Sequence, residues 1–112
     1  MKRRPEVDVV YMARKLLANP KRWVRGTLAR SRNGLHVNPT DPSAVQWCAT
    51  GAIDREAKLA GQDDEFVENL VNQLDRLARS GNLVSTNDND GREAVLDVFD
   101  DYLLDNNVLP ED

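Results

Sequence analysis

The stretch DPSAVQWCATGAIDREAKLAG, residues 41–61, decides how the chain is built. Asp41 is a good N-cap, and Pro42 at the first helical position loses nothing, because its missing N–H has no partner there anyway. Gly61 is a natural helix stop. The spacing therefore predicts a helix over 42–60. On such a helix Ala44, Cys48, Gly51 and Ala52 share one face that carries almost no bulk. A glycine inside a helix costs about 1 kcal/mol against alanine, and close approach of another element is the usual compensation. Cys48, Gly51 and Ala52 thus read as a packing seam, covered by another helix backbone or by the indole of Trp47 or Trp23.

Upstream, EVDVVYMARKLLA (6–18) places Val9, Val10, Ala13, Leu16 and Leu17 on a helical stripe that Asn19-Pro20 ends. Asn33-Gly34 is a type I′ turn signal and predicts a short β-hairpin of 27–31 with 35–38. Downstream, Phe66, Val67, Leu70, Val71, Leu74, Leu77 and Ala78 mark an amphipathic helix from Asp63 or Asp64 to about Arg79. GNLVSTNDNDG (81–91) reads as a polar loop. Asp90 and Glu93 have the spacing of a capping box for a last helix, 91–106, with Val95, Leu96, Val98, Phe99, Leu103 and Leu104 inside.

The fold class that follows is mainly α: four helices with one short β-hairpin between helix 1 and helix 2. At 112 residues the chain is one domain, 1–112, with 1–5 and 107–112 as fraying tails. Apolar residues make up 40% and aromatics only 5%, so the core must come from Val, Leu and Ala. There is no apolar run of about 18 residues to span a membrane. The basic N-terminus lacks an apolar stretch after it and does not read as a signal peptide. One cysteine allows no internal disulfide, which fits a cytoplasmic location. One Cys and one His exclude a Cys/His zinc site within a single chain, and neither a metal nor a cofactor is expected.

Charge is unevenly placed. Residues 1–32 carry ten Lys/Arg against Glu6 and Asp8, while the remaining eighty carry five against seventeen Asp/Glu. The basic part, Lys21, Arg22, Arg25, Arg30 and Arg32 around Trp23, could meet an acidic partner or a phosphate backbone. The whole chain has a pI near 5.0, so nucleic acid is possible but not favoured. Asp97, Asp101 and Asp105 repeat every four residues and line one face of the last helix, with Asp100 beside them. They read as a solvated face or as an acidic decoy for a nucleic-acid-binding partner.

A thiol-dependent enzyme would use Cys48 with His36 or Asp88 as its partner. Inside the predicted helix the thiol would gain little from the helix dipole. Residues 86–97 approach a calcium loop through Asp88, Asp90 and Gly91. They depart from it at Thr86, at Glu93 and at Asp97, where the bidentate Glu belongs. The chain has no Gly-rich phosphate loop, no HExxH and no GxSxG.

The order of these motifs resembles a family of small uncharacterised bacterial and phage proteins, a domain of unknown function. The resemblance is carried by Trp23, Gly26 and Ala29, by Asp41, Pro42, Ala44, Trp47, Cys48, Gly51 and Ala52, and by Asn87, Asp88, Val95 and Leu96. It spans about four fifths of the chain, and W-C-x-x-G-A is its most specific part. It implies a cytoplasmic accessory role, and His36 is not among the residues of the pattern. With it, Asn87 and Asp88 read as polar groups that turn inward, bind the N-terminal end of another element and close the fold, or line a small pocket beside Trp47. The expectation is a small non-enzymatic accessory or binding protein with a protein partner. Its candidate binding residues are Arg22, Trp23, Arg25, Trp47, Asp97 and Asp101. The structural seam is Cys48, Gly51, Ala52, Asn87 and Asp88.

Overall fold

The computed structural model describes residues 4–108. The chain is mainly helical with one small antiparallel sheet, and the described residues hold five helices rather than the four expected. Helix α1, Pro5–Leu17, has Pro at its first position and buries Val7, Val9, Val10, Ala13, Leu16 and Leu17. A single 3₁₀ turn, Pro20–Arg22, follows, its start held by the Asn19 side chain, which accepts the Lys21 N–H at 3.0 Å.

The helix predicted over 42–60 is the main correction. Its first part is a strand, β2 (Ala44–Trp47), paired with β1 (Ala29–Ser31), and helix α2 spans only Ala49–Leu59. Asp41 does cap, but it caps a turn. Its carboxylate accepts the Ser43 N–H at 2.8 Å and the Ser43 hydroxyl at 2.6 Å, and the Ala44 N–H reaches the Asp41 carbonyl at 3.0 Å. Pairing Ala29 with Trp47, Arg30 with Gln46 and Ser31 with Ala44 then buries Ala44 and Trp47. The irregular register leaves Val45 exposed.

The expected hairpin of 27–31 with 35–38 shrinks to one bridge, Arg30 with His36. Its hydrogen bonds are Ser31 N–H to Leu35 at 2.9 Å and Val37 N–H to Ala29 at 3.1 Å. The turn is not type I′, since Gly34 takes φ +81° while Asn33 keeps a negative φ. Gly34 N–H donates to the Ser31 carbonyl at 2.9 Å, which makes a three-residue loop with glycine at its left-handed position. On the other side, Trp23 bridges Trp47 in parallel and the Val24 N–H reaches the Trp47 carbonyl at 3.1 Å. Across the sheet the order is thus 35–37, β1, β2, 23–24.

Helix α2 ends in a Schellman motif. Gln62 N–H reaches the Ala57 carbonyl at 2.9 Å, Gly61 N–H reaches Lys58 at 3.0 Å, and Gly61 has φ +80°. Helix α3, Asp64–Asp75, is capped by Asp63 and stops short of the predicted Arg79. The Asp75 carboxylate turns back there to accept the Leu83 N–H at 2.7 Å. The predicted polar loop is largely helical: α4 (Leu83–Ser85) runs into a π turn over Thr86–Asp90. Helix α5 is Arg92–Asp105, and the capping box is not formed. Gly91 precedes the helix with φ +94°, and Asp90 instead accepts the Ser80 hydroxyl at 2.7 Å. Leu104 is exposed, and Tyr102 takes an inward position.

Helix α1 packs on α2 and α5, and α3 closes against α2. Phe99, Leu17, Ile53, Leu70, Leu74 and Leu83 are fully buried between them. Arg14 and Asp100 tie α1 to α5 at 2.9 Å. Of the predicted tails, Pro5 lies in α1, and Val108 N–H closes the end of α5 on Leu103 at 2.8 Å. Residues 1–3 and 109–112 lie outside the described residues. Among those described, no helix is long and apolar enough to cross a membrane.

Candidate functional site

Helix α2 begins against the π turn, and its first N–H groups need partners. Asn87 supplies one. Its Oδ1 accepts the Ala49 N–H at 2.9 Å and the Trp23 indole N–H at 2.7 Å. Its Nδ2 donates to the Val24 carbonyl at 3.1 Å and to Asp88 Oδ1 at 3.1 Å. The side chain is 1% exposed, and its bonding capacity is used in full. Asp88 Oδ1 also accepts the Gly26 N–H at 2.9 Å. One Asn-Asp pair therefore holds the 23–26 segment and the start of α2 together.

Cys48 is the N-cap of α2, not an interior helical residue. Its Sγ accepts the Gly51 N–H at 3.3 Å, and its own N–H reaches the Leu28 carbonyl at 3.2 Å. Burial pushes the thiol above its ordinary pKa, and the Asp88 carboxylate adds to the push. The N–H groups of Gly51 and Thr50 oppose them. The helix terminus alone would favour a thiolate, but burial outweighs it. His36 lies on the far edge of the sheet, with β1 and β2 between it and the start of α2.

Gly51 meets the same carbonyl. A Cβ there would sit 2.0 Å from the Leu28 oxygen. What stands against Gly51 is the backbone of Leu28, the residue before β1, and not the helix or indole expected. Leu28, Val84, Cys48 and Asp88 line an open depression of about 200 Å³ beside it.

The predicted binding residues separate. Trp47 is buried, its indole N–H donates to the Pro39 carbonyl at 2.9 Å, and the Arg55 guanidinium stacks over its ring at 5.0 Å. Trp23 is half-buried, its N–H is taken by Asn87, and Arg25 covers its ring at 5.2 Å. Neither indole is a free stacking face. Lys21, Arg22, Arg25 and Arg32 are exposed, and none makes an ion pair among the described residues. Asp97, Asp101 and Asp105 are exposed on α5. Asp97 and Asp101 line a shallow cleft with Arg79 and the Arg14-paired Asp100. Asp88 and Asp90 are spent on Gly26 and Ser80, and no cluster among the described residues could hold a metal ion.

Two partners escaped the sequence reading. The Leu28 carbonyl has no side-chain signature. Arg92 caps the end of α1 by donating to the Leu17 and Ala18 carbonyls at 3.1 Å each, a contact across more than seventy residues that no local pattern marks.

The model of a family of unknown function, DUF6197, matches residues 1–102, and the chain belongs to that family. No curated protein and no solved structure matches it.

Proposed function

We propose that this member of the DUF6197 family is a non-enzymatic accessory protein that works by binding another protein. Its contact surface is the basic segment around Arg22 and Arg25. One observation carries this reading: Lys21, Arg22, Arg25 and Arg32 stand exposed with no ion pair among the described residues, while Cys48, Asn87 and Asp88 are taken up in contacts that hold the fold together. Trp23 and Trp47 act from beneath, by fixing the segment in place. A cytoplasmic, phage-associated setting is part of the same reading and rests on the motif resemblance. The acidic decoy is the second reading, favoured by the exposed row Asp97, Asp101 and Asp105.

Capture from a bacterial extract on the immobilised protein separates the two. Bound protein should be retained at about 50 mM salt and lost at about 500 mM, because exposed charges are screened. R22E/R25E should abolish capture and D97K/D101K should leave it intact. The opposite pattern transfers the function to α5.

A further inference from the structure

We infer that the free edge at residues 35–38 receives an extended segment of the partner, with acidic and apolar residues alternating along it. This rests on the protein-binding reading above and names the partner's chemistry. The two edges of the sheet differ. The 23–24 edge is held by Asn87, which bonds both the Trp23 indole and the Val24 carbonyl. Among the described residues, none covers the 35–37 edge in this way. In the Arg30–His36 bridge the hydrogen bonds run from Ser31 to Leu35 and from Val37 to Ala29. That makes Arg30 and His36 a non-hydrogen-bonded pair, so the His36 N–H and C=O point away from β1, toward open solvent. A strand laid alongside can take both, as in β-strand addition.

The two faces of that edge then specify the strand. Ala29 and Ser31 point into the core, so Arg30 and His36 stand on the outer face, with exposed Arg32 at the turn. No Asp or Glu occurs between Val9 and Thr40. The inner face of the same edge carries Leu35, 63% exposed, and half-buried Val37. A partner strand would set acids beside His36, on the face that also carries Arg32 and the Arg30 guanidinium, which donates to the Gly34 carbonyl at 2.9 Å, and apolar side chains beside Leu35. A second copy pairing edge to edge would gather Arg30 and Arg32 of both copies around one junction with no acid between Val9 and Thr40 to offset them, which the like charges oppose.

The test uses three fluorescent probes at low salt: an alternating Glu-Val peptide of about nine residues, the same peptide N-methylated at every second residue, and a single-stranded oligonucleotide of matching charge. Fluorescence anisotropy should show the plain peptide binding about tenfold tighter than the methylated one, the loss expected for two main-chain hydrogen bonds. R30E/R32E should lose it. Binding of the plain peptide should slow exchange of the His36 amide, a readout that needs no variant. Equal binding of both peptides, or tighter binding of the oligonucleotide, overturns the inference, because charge alone would then explain contact. Absence of peptide binding, with R22E/R25E still abolishing capture, overturns the edge and leaves the binding role standing. Loss of both disposes of the binding role as well.

Discussion

A methyl group at residue 51 has nowhere to go. The atom it would strike is a backbone oxygen, which cannot swing aside as a side chain can. Gly51→Ala should therefore cost about 1–3 kcal/mol, the range for overpacking, although alanine is the better helix former. A lowered urea midpoint with an unchanged slope would show it. Cys48 gives a pH signature. Its folded pKa is raised, so the proton stays on longer in the folded chain than in the unfolded one. That contribution is fully present below the unfolded thiol's pKa and is lost as pH rises toward the folded value. Stability attributable to Cys48 should fall only on the alkaline side, and Cys48→Ser should remove that fall. Denaturation midpoints of both proteins across alkaline pH would check it. At this scale the sequence singled out Gly51 as a place of close approach, and a backbone does approach it. It was silent on what approaches, because a backbone carbonyl such as that of Leu28 belongs to every residue type alike.

Elements show where local signals mislead. Asp41-Pro42 looks like a helix start, yet Asp41 closes a turn on Ser43 and the chain leaves as a strand. Tertiary pairing decided the matter: as a strand, Ala44 and Trp47 bury themselves against β1. Asp90 and Glu93 have capping-box spacing but make no cap, since Gly91 turns with a positive φ between them. Asp63 is a working cap, accepting the Phe66 N–H at 2.9 Å. Asp63→Ala should cost about 1 kcal/mol, while Asp90→Ala should stay within about 0.5 kcal/mol. Paired urea titrations would separate them. Helix α3 was legible because its stripe of Val67, Leu70 and Leu74 is long and regular. The π turn at 86–90 was not, because a tract of Thr, Asn and Asp carries no helical stripe and is held instead by bonds to distant segments.

Across the whole molecule, charge and chemistry occupy different places. Cys48, Asn87 and Asp88 converge on the start of α2, where they bind one another and the backbone, while His36 stands apart on the far edge of the sheet. The exposed cations Lys21, Arg22, Arg25 and Arg32 lie outside that knot, and the exposed carboxylates Asp97, Asp101 and Asp105 line α5. The sequence already showed the division, since basic and acidic residues separate along the chain near residue 32. It did not show that the indoles would be covered, because Arg25 and Arg55 meet them only in the folded chain. The central claim is that the basic segment works and the cysteine builds. Capture of the protein partner by Cys48→Ser and by R22E/R25E, side by side, tests it most directly. Serine is a good N-cap, so the first variant keeps the start of α2. The account predicts full capture by Cys48→Ser and none by R22E/R25E. Loss with Cys48→Ser and retention with R22E/R25E would contradict it.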